Sequence, residues 1–256
     1  MPRPDGRSLT EHRPVEMMAD FHRPSEGSVL YRAGRTVVLC TASIDASVPE
    51  FLRGKGTGWL TAEYQMHPRA KPPRRENREG RGKPLSGRTQ EIQRLIGRAL
   101  RATLDMRELG ERTITIDCDV LEADGGTRTA SITGGFVALA IALGRLTKRG
   151  DLSKPVLRDM VAATSVGHLE EGHALDLVYT EDSTARVDLN LVATGQKAIV
   201  EVQGTAEGEA VPRSDVDAMI TLALAGVASL VRIQKDVLSA AKVDLPSLFV
   251  PGRWTA

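Results

Sequence analysis

Residues 113–146 read TITIDCDVLEADGGTRTASITGGFVALAIALGRL, and the fold is decided here. Thr113 to Leu121 alternates polar and apolar side chains, the period of a half-buried strand. Ala123-Asp124-Gly125-Gly126-Thr127-Arg128 is a glycine turn. Residues 131–146 are apolar enough for a buried helix. A strand, a tight turn and a helix in direct succession point to sheets carrying helices. A helix N-terminus has unpaired N–H groups and a partial positive charge, and glycines let its backbone approach an anion closely. With a hydroxyl from Thr127 and a guanidinium from Arg128, the turn can hold a phosphate-sized anion. No Gly-Lys-Ser/Thr follows and no Gly-x-Gly-x-x-Gly is present, so neither a Walker A loop nor a dinucleotide fingerprint is implied. A plain strand-to-helix turn with a surface arginine is the competing reading.

Working outward, Ser28–Tyr31 and Thr36–Ile44 read as strands joined at Ala33-Gly34-Arg35, and residues 57–66 as a short strand. Ile92, Leu95, Ile96, Ala99 and Leu100 share one helical face, opposite Arg88, Glu91, Arg94, Arg98 and Arg101. Arg88 in a first helical turn opposes the dipole unless an anion lies nearby. The second half suggests strands near 160–168, 174–180, 185–193 and 198–203. A helix follows from about 215 to 240, with Ser214 as cap and Asp215 and Asp217 complementing the dipole. The fold class is α+β, with two related halves in one compact unit.

The chain has 256 residues with ordinary apolar (41%) and charged (26%) content, so a single core is expected. Net charge is +1, but residues 69–83 carry Arg69, Lys71, Arg74, Arg75, Arg78, Arg81 and Lys83 against Glu76 and Glu79, a local +5 that leaves −4 elsewhere. With four prolines and three glycines nearby, this stretch reads as a long loop that could grip RNA phosphates without base stacking, or as a solvated surface loop. Asp182 lies in a turn signal, and Asp188 alternates with Val187 and Leu189 in a strand whose flanks read as buried. Two such carboxylates suit a hard divalent cation; the competing reading, which the residues alone favour, is a turn-capping Asp182 and a salt-bridged Asp188. Cys40 and Cys118 read as core thiols and the five scattered histidines as surface or packing residues. No apolar run approaches the ~18 residues needed to span a membrane, and the N-terminus lacks a signal pattern, so no membrane partner and a cytoplasmic location are expected.

Taken together, these blocks resemble the ribonuclease PH family of phosphorolytic 3′→5′ exoribonucleases. The match rests on Arg3-Pro-Asp-Gly-Arg7, Gly58-Trp-Leu-Thr-Ala-Glu-Tyr64, residues 86–98, Ile116-Asp-Cys-Asp-Val120, residues 123–134, Glu181-Asp-Ser183, Val187-Asp-Leu-Asn190 and Glu201-Val-Gln-Gly-Thr205. The resemblance implies a fold like the second domain of ribosomal protein S5, in one unit spanning 1–256 with halves near 1–150 and 151–245 and a short tail at 246–256. It implies trimming of tRNA precursors by inorganic phosphate as co-substrate, with Mg²⁺ as cofactor, nucleoside diphosphates as products and a reversible reaction. It assigns phosphate binding to Arg88, Gly126, Thr127 and Arg128, and catalysis and metal binding to Asp182 and Asp188. Contact with the tRNA acceptor stem falls to Arg69, Arg75 and Arg78, with Arg74 beside them. A homohexamer built as a trimer of dimers is also implied. The alternative is a non-catalytic RNA-binding subunit of an exosome-like ring, which would be expected to lose these arginines or acids. Polynucleotide phosphorylase, which resembles two such units followed by RNA-binding domains, is a weaker match.

Overall fold

Alternation of apolar residues builds two sheets in the computed structural model, which describes residues 3–73, 75–80, 82 and 84–254. The first sheet has the order β1-β2-β3-β5-β4, from Val15–Ala19, Gly27–Ala33, Thr36–Asp45, Thr113–Glu122 and Trp59–Met66. Its strands are antiparallel except for the parallel pair β4 and β5, which the helix α1 (Gly87–Arg101) connects. The second sheet has the order β7-β6-β8-β9, from Gly172–Leu175, Val161–Leu169, Val187–Thr194 and Ile199–Ala206, and is antiparallel throughout. Helix α3 (Thr127–Arg149) packs against β2 and β3 of one sheet and β6 of the other. It is therefore apolar around nearly its whole circumference, with Phe136, Ile132 and Leu139 fully buried. The long helix α5 (Arg213–Ala240) covers β6, β7 and β8.

Several expectations are met and several are corrected. The strands over 28–31, 36–44, 57–66 and 113–121 are present, slightly longer or shorter at their ends. α3 starts at Thr127, not near 131, and the hydroxyls of its polar first turns are satisfied within it, Thr129 donating to the Gly126 carbonyl (2.9 Å) and Ser131 to the Thr127 carbonyl (2.8 Å). The strand expected to reach residue 180 ends at Leu175, and Tyr179–Asp182 is instead a helical turn, α4. Asp176 breaks the strand, with a φ of 55°. α5 begins at Arg213 with Pro212 at its N-cap, so Ser214 stands inside the first turn and is not the cap. The short elements β1, α2 (Met106–Leu109) and α6 (Leu245–Leu248) carried too little periodicity to be foreseen. Residues 246–254 are integrated as well: Leu248 and Phe249 are buried and Trp254 packs edge-on against Phe249. The membrane expectation also needs correcting, because α3 and α5 are each long and apolar enough to cross a membrane. Burial accounts for α3, 89% of whose most apolar window lies inside the chain, but only 33% of the corresponding window of α5 does.

The N-terminal segment ties the two halves together. Arg13 donates to Asp176 through Nε (2.9 Å) and Nη2 (2.6 Å), and to the carbonyl of Asp124 through Nη1 (2.7 Å). Arg3 makes the same two-pronged bond to Glu181, at 2.8 Å for each prong. Both pairs are buried. Burial alone would raise the Asp176 carboxyl, but the bonds from Arg13, with His12 beside it, hold it well below the usual carboxylate range. Removing one partner would strand the other charge out of water. Arg13→Ala is therefore expected to lower stability by about 3–5 kcal/mol in urea titrations, and a loss under about 1 kcal/mol would show that this pair does not hold the junction.

Candidate active site

The strand-to-helix turn is held rigid from three sides. Thr36 Oγ1 donates to the Gly125 carbonyl (2.7 Å) and accepts from the Asp124 N–H (3.0 Å). The Asp124 carboxylate accepts the N–H of Tyr179 at 3.4 Å, which links the turn to α4. Gly125 and Gly126 have φ of 78° and 69°. A Cβ on Gly125 would also sit 2.4 Å from the Leu177 carbonyl oxygen, so only glycine fits. Gly126 then caps α3 with no side chain to satisfy the first helical N–H groups, which remain for a ligand.

A cavity of about 580 Å³ opens over this turn. Its wall includes Arg88, Gly126, Thr127, Arg128, Asp182 and Asp188, so all six positions assigned to phosphate, catalysis and metal meet in one place. Arg88 comes from the first turn of α1, whose N-cap is Ser86. Asp182 is the last residue of α4, and the buried Glu181 next to it is fixed by Arg3 and by the Val178 N–H (3.0 Å). Asp188 lies on β8, opposite Gly167 of β6. Arg69, Arg75 and Arg78 do not line the cavity. They are exposed on the loop between β4 and α1, which has no helix or strand among its described residues and reaches the cavity wall through Lys71 and Pro72. Arg74 lies outside the described residues. The base of the loop is pinned beside the turn, where the Ala123 N–H donates to the Ala70 carbonyl at 2.9 Å.

The structure adds positioning residues that no local pattern marked. Arg128 Nη1 donates to Gln203 Oε1 (2.9 Å) and lies 3.5 Å from Glu91 Oε1, which aims the guanidinium from β9 and α1. The Thr127 hydroxyl is hydrogen-bonded to that of Tyr64 at 2.9 Å inside the core. Asn190, two residues along the same strand face as Asp188, donates to both of its carboxylate oxygens at 3.3 Å. Gln203, Tyr64 and Asn190 all lie inside the family-like blocks, which was the only sequence signal available for them. Cys40 and Cys118 face each other across β3 and β5 as buried free thiols, as expected of core residues.

Charge in the cavity is closely balanced. Burial pushes the Asp188 carboxyl up to about 6, the neighbouring Asp182 adds to this, and Arg128, Asn190 and Arg88 oppose it. Asp182 is exposed as a residue, but the cavity wall strips its carboxyl of part of its water and pushes it up too, against Arg88 and Arg128. Two oxygen-bearing acids that repel each other form a donor set that fits a hard divalent cation.

Known proteins resemble this chain over most of its length. Residues 11–143 match the model for domain 1 of the 3′ exoribonuclease family, and residues 159–226 match that for domain 2. Ribonuclease PH of Bacillus velezensis is 53% identical over 244 residues, which is 95% of this chain and 99% of that protein. Ribonuclease PH of Crocosphaera subtropica is 55% identical over 239 residues, covering 93% and 98%. Among solved structures, rice (Oryza sativa) Rrp46 superposes with a TM-score of 0.76 at 16% identity, covering 93% of this chain and 100% of its own. A chain of the Archaeoglobus fulgidus exosome with RNA bound to the active site gives 0.72 at 20% identity, covering 90% and 92%. The chain belongs to the 3′ exoribonuclease family. Within it, the chain is a phosphorolytic 3′→5′ exoribonuclease, and the reading as a non-catalytic ring subunit has less support.

The Asp188 shift has a measurable consequence. Its raised value means that the folded protein holds this proton more tightly than the unfolded chain, where aspartate titrates near ~3.9. Ionising it therefore lowers stability progressively as pH rises from about 4 through about 6. Asp188→Asn should raise stability at pH 7 without divalent cation by about 1–2 kcal/mol, discounted for solvent screening, and should change nothing below about pH 4. Equal melting temperatures at pH 7 would contradict the shift.

Proposed function

We propose that the enzyme trims the 3′ ends of tRNA precursors with inorganic phosphate as the nucleophile, and that the six residues sharing the cavity divide the work. The carrying observation is that cavity: two arginines and an uncapped glycine-rich helix start beside two acids. Arg88, Arg128, the Thr127 hydroxyl and the first amides of α3 hold phosphate and screen its repulsion from the RNA backbone. An oxygen of the bound phosphate bonds to the phosphorus of the last phosphodiester. The bond from that phosphorus to the 3′ oxygen of the preceding nucleotide breaks. The terminal nucleotide leaves as a nucleoside diphosphate, the proton brought by the hydrogen phosphate passes to the departing 3′ oxygen, and the shortened RNA ends in a 3′-hydroxyl. The product keeps an anhydride, so the reaction runs in both directions. Asp182 and Asp188 would hold Mg²⁺, which supplies charge neutralisation at the scissile phosphate and the leaving oxygen. Little covalent chemistry is asked of the protein, and its contribution is positioning and electrostatics.

The exposed Arg69, Arg75 and Arg78, with Arg74, suit phosphates of an acceptor stem held outside the cavity. A homohexamer built as a trimer of dimers is supported by apolar side chains that one chain leaves exposed, Met18, Phe21 and Phe51 among them, and by those of α5 that it buries only in part. Light scattering should give a mass near six chains, and a monomer would remove the ring from this reading.

Turnover on a tRNA with a 3′ extension should need both phosphate and Mg²⁺ and yield nucleoside diphosphates. Monophosphates formed without phosphate would instead indicate hydrolysis. Arg128→Ala should lower kcat/KM on the order of 10²-fold, mainly through KM for phosphate, and Asp188→Ala should lower kcat on the same order. Normal turnover in both variants would refute the assignment. Tyr64→Phe leaves Thr127 without its partner and should raise KM for phosphate several-fold while leaving the fold intact.

A further inference from the structure

Two histidines and an aspartate meet on the face of the second sheet turned away from the cavity. His168 of β6 pairs with Val187, the neighbour of Asp188, so its side chain alternates to the opposite face. His173 of β7 lies directly across the hairpin from His168, with the rings 4.8 Å apart and nearly edge to face. Asp215, in the first turn of α5, brings Oδ2 to 3.8 Å from His168 Nδ1. One ligand atom from each of the three side chains lies within 4.8 Å of the others.

Ordinary packing leaves this cluster incomplete. His168 Nδ1 is buried and has no hydrogen-bond partner, and 3.8 Å is too long for a bond to Asp215. Among the described residues, Asp215 has no lysine or arginine within ion-pair distance, because the nearby Arg213 turns to Asp217 at 3.3 Å. A buried imidazole nitrogen aimed at a carboxylate it does not touch, with a second imidazole alongside, is unsatisfied unless something sits between them.

We propose that His168, His173 and Asp215 form a binding site for a divalent transition metal, Zn²⁺ foremost, separate from the acids of the cavity. Two imidazoles and one carboxylate suit Zn²⁺ and its neighbours and disfavour Mg²⁺, which prefers oxygen ligands. Tetrahedral bonds of about 2.0–2.2 Å place ligand atoms roughly 3.3 Å apart. The observed separations need to close by at most about 1.5 Å, which side-chain rotation of three partly exposed residues supplies. A water completes the fourth position. The ion joins the β6–β7 hairpin to the start of α5. The backbone there is paired without the ion, the His168 carbonyl accepting the Arg186 N–H at 2.9 Å, so the strand bearing Asp188 does not depend on it.

Titration of the full-length protein with Co²⁺ tests this. One equivalent should produce the intense visible band of a four-coordinate ion and raise the melting temperature, and Zn²⁺ should abolish the band by displacement. His173→Gln, on a partly exposed hairpin position, and His168→Gln should each weaken binding by at least roughly tenfold while keeping the circular dichroism and phosphorolysis of the parent. The double variant Asp182→Asn, Asp188→Asn should keep the band. A band that survives His173→Gln, one lost only with the cavity acids changed, or no band at one equivalent would each overturn the proposal.

Discussion

A buried ion pair between Arg13 and Asp176 is the contact on which the geometry of the cavity depends. Asp176 accepts the backbone N–H of Arg13 (2.8 Å) as well as its guanidinium, and its own N–H donates to the Ser165 carbonyl (2.8 Å). Arg13 reaches on to the Asp124 carbonyl. One arginine therefore fixes the anion-binding turn of the first half against the β7–α4 connection of the second. Paired charges out of water tolerate little displacement, because any loosening leaves one of them unsatisfied. Arg3 and Glu181 repeat the arrangement one step away and hold the residue preceding Asp182. The N-terminal segment thus positions groups from opposite halves without entering the cavity itself.

Charge balance within that cavity explains both its instability and its use. Four cationic side chains, Arg35, Lys71, Arg88 and Arg128, share the wall with Asp124, Asp182 and Asp188. The arginines restrain the upward shift of the acids without cancelling it. A site built to receive an anion, an RNA backbone and a cation in turn has to carry unsatisfied charge of both signs, and folding opposes that. The surrounding frame absorbs the strain. Helix α3 begins at the ligand end with glycine and runs back through the core between both sheets, so the anion site stands on the most deeply packed element of the chain.

Helix α5 plays a different part. Its inner side covers the second sheet, and Gln234 donates to the carbonyls of Thr133 (2.9 Å) and Val161 (3.0 Å), joining α3 to β6. Its other large apolar side chains, Val216, Ile220, Leu222 and Leu224 among them, are only partly buried within one chain. Burial inside a single chain thus explains only part of its composition, whereas it explains nearly all of that of α3.

The sequence by itself determined the strand–turn–helix at 113–146, the amphipathic α1 and the long α5, because each carries a full period of apolar residues or obligatory glycines. It also supplied the six cavity residues, through blocks of local sequence long enough to be distinctive. Local pattern failed at 176–180, where the expected strand is cut short at Leu175 and the chain turns into α4. There the backbone follows Asp176, whose conformation is set by Arg13, 163 positions away. The same holds for Gln203 and Glu91 against Arg128, for Tyr64 against Thr127, and for the meeting of His168, His173 and Asp215. None of these pairings lies within one turn or one hairpin of sequence, apart from that of the two histidines. Periodicity records which side of an element is buried but carries no information about which distant side chain it meets. That was left to the packing of two sheets around one helix, which alone brings Asp188, Arg88 and Arg128 to a common cavity.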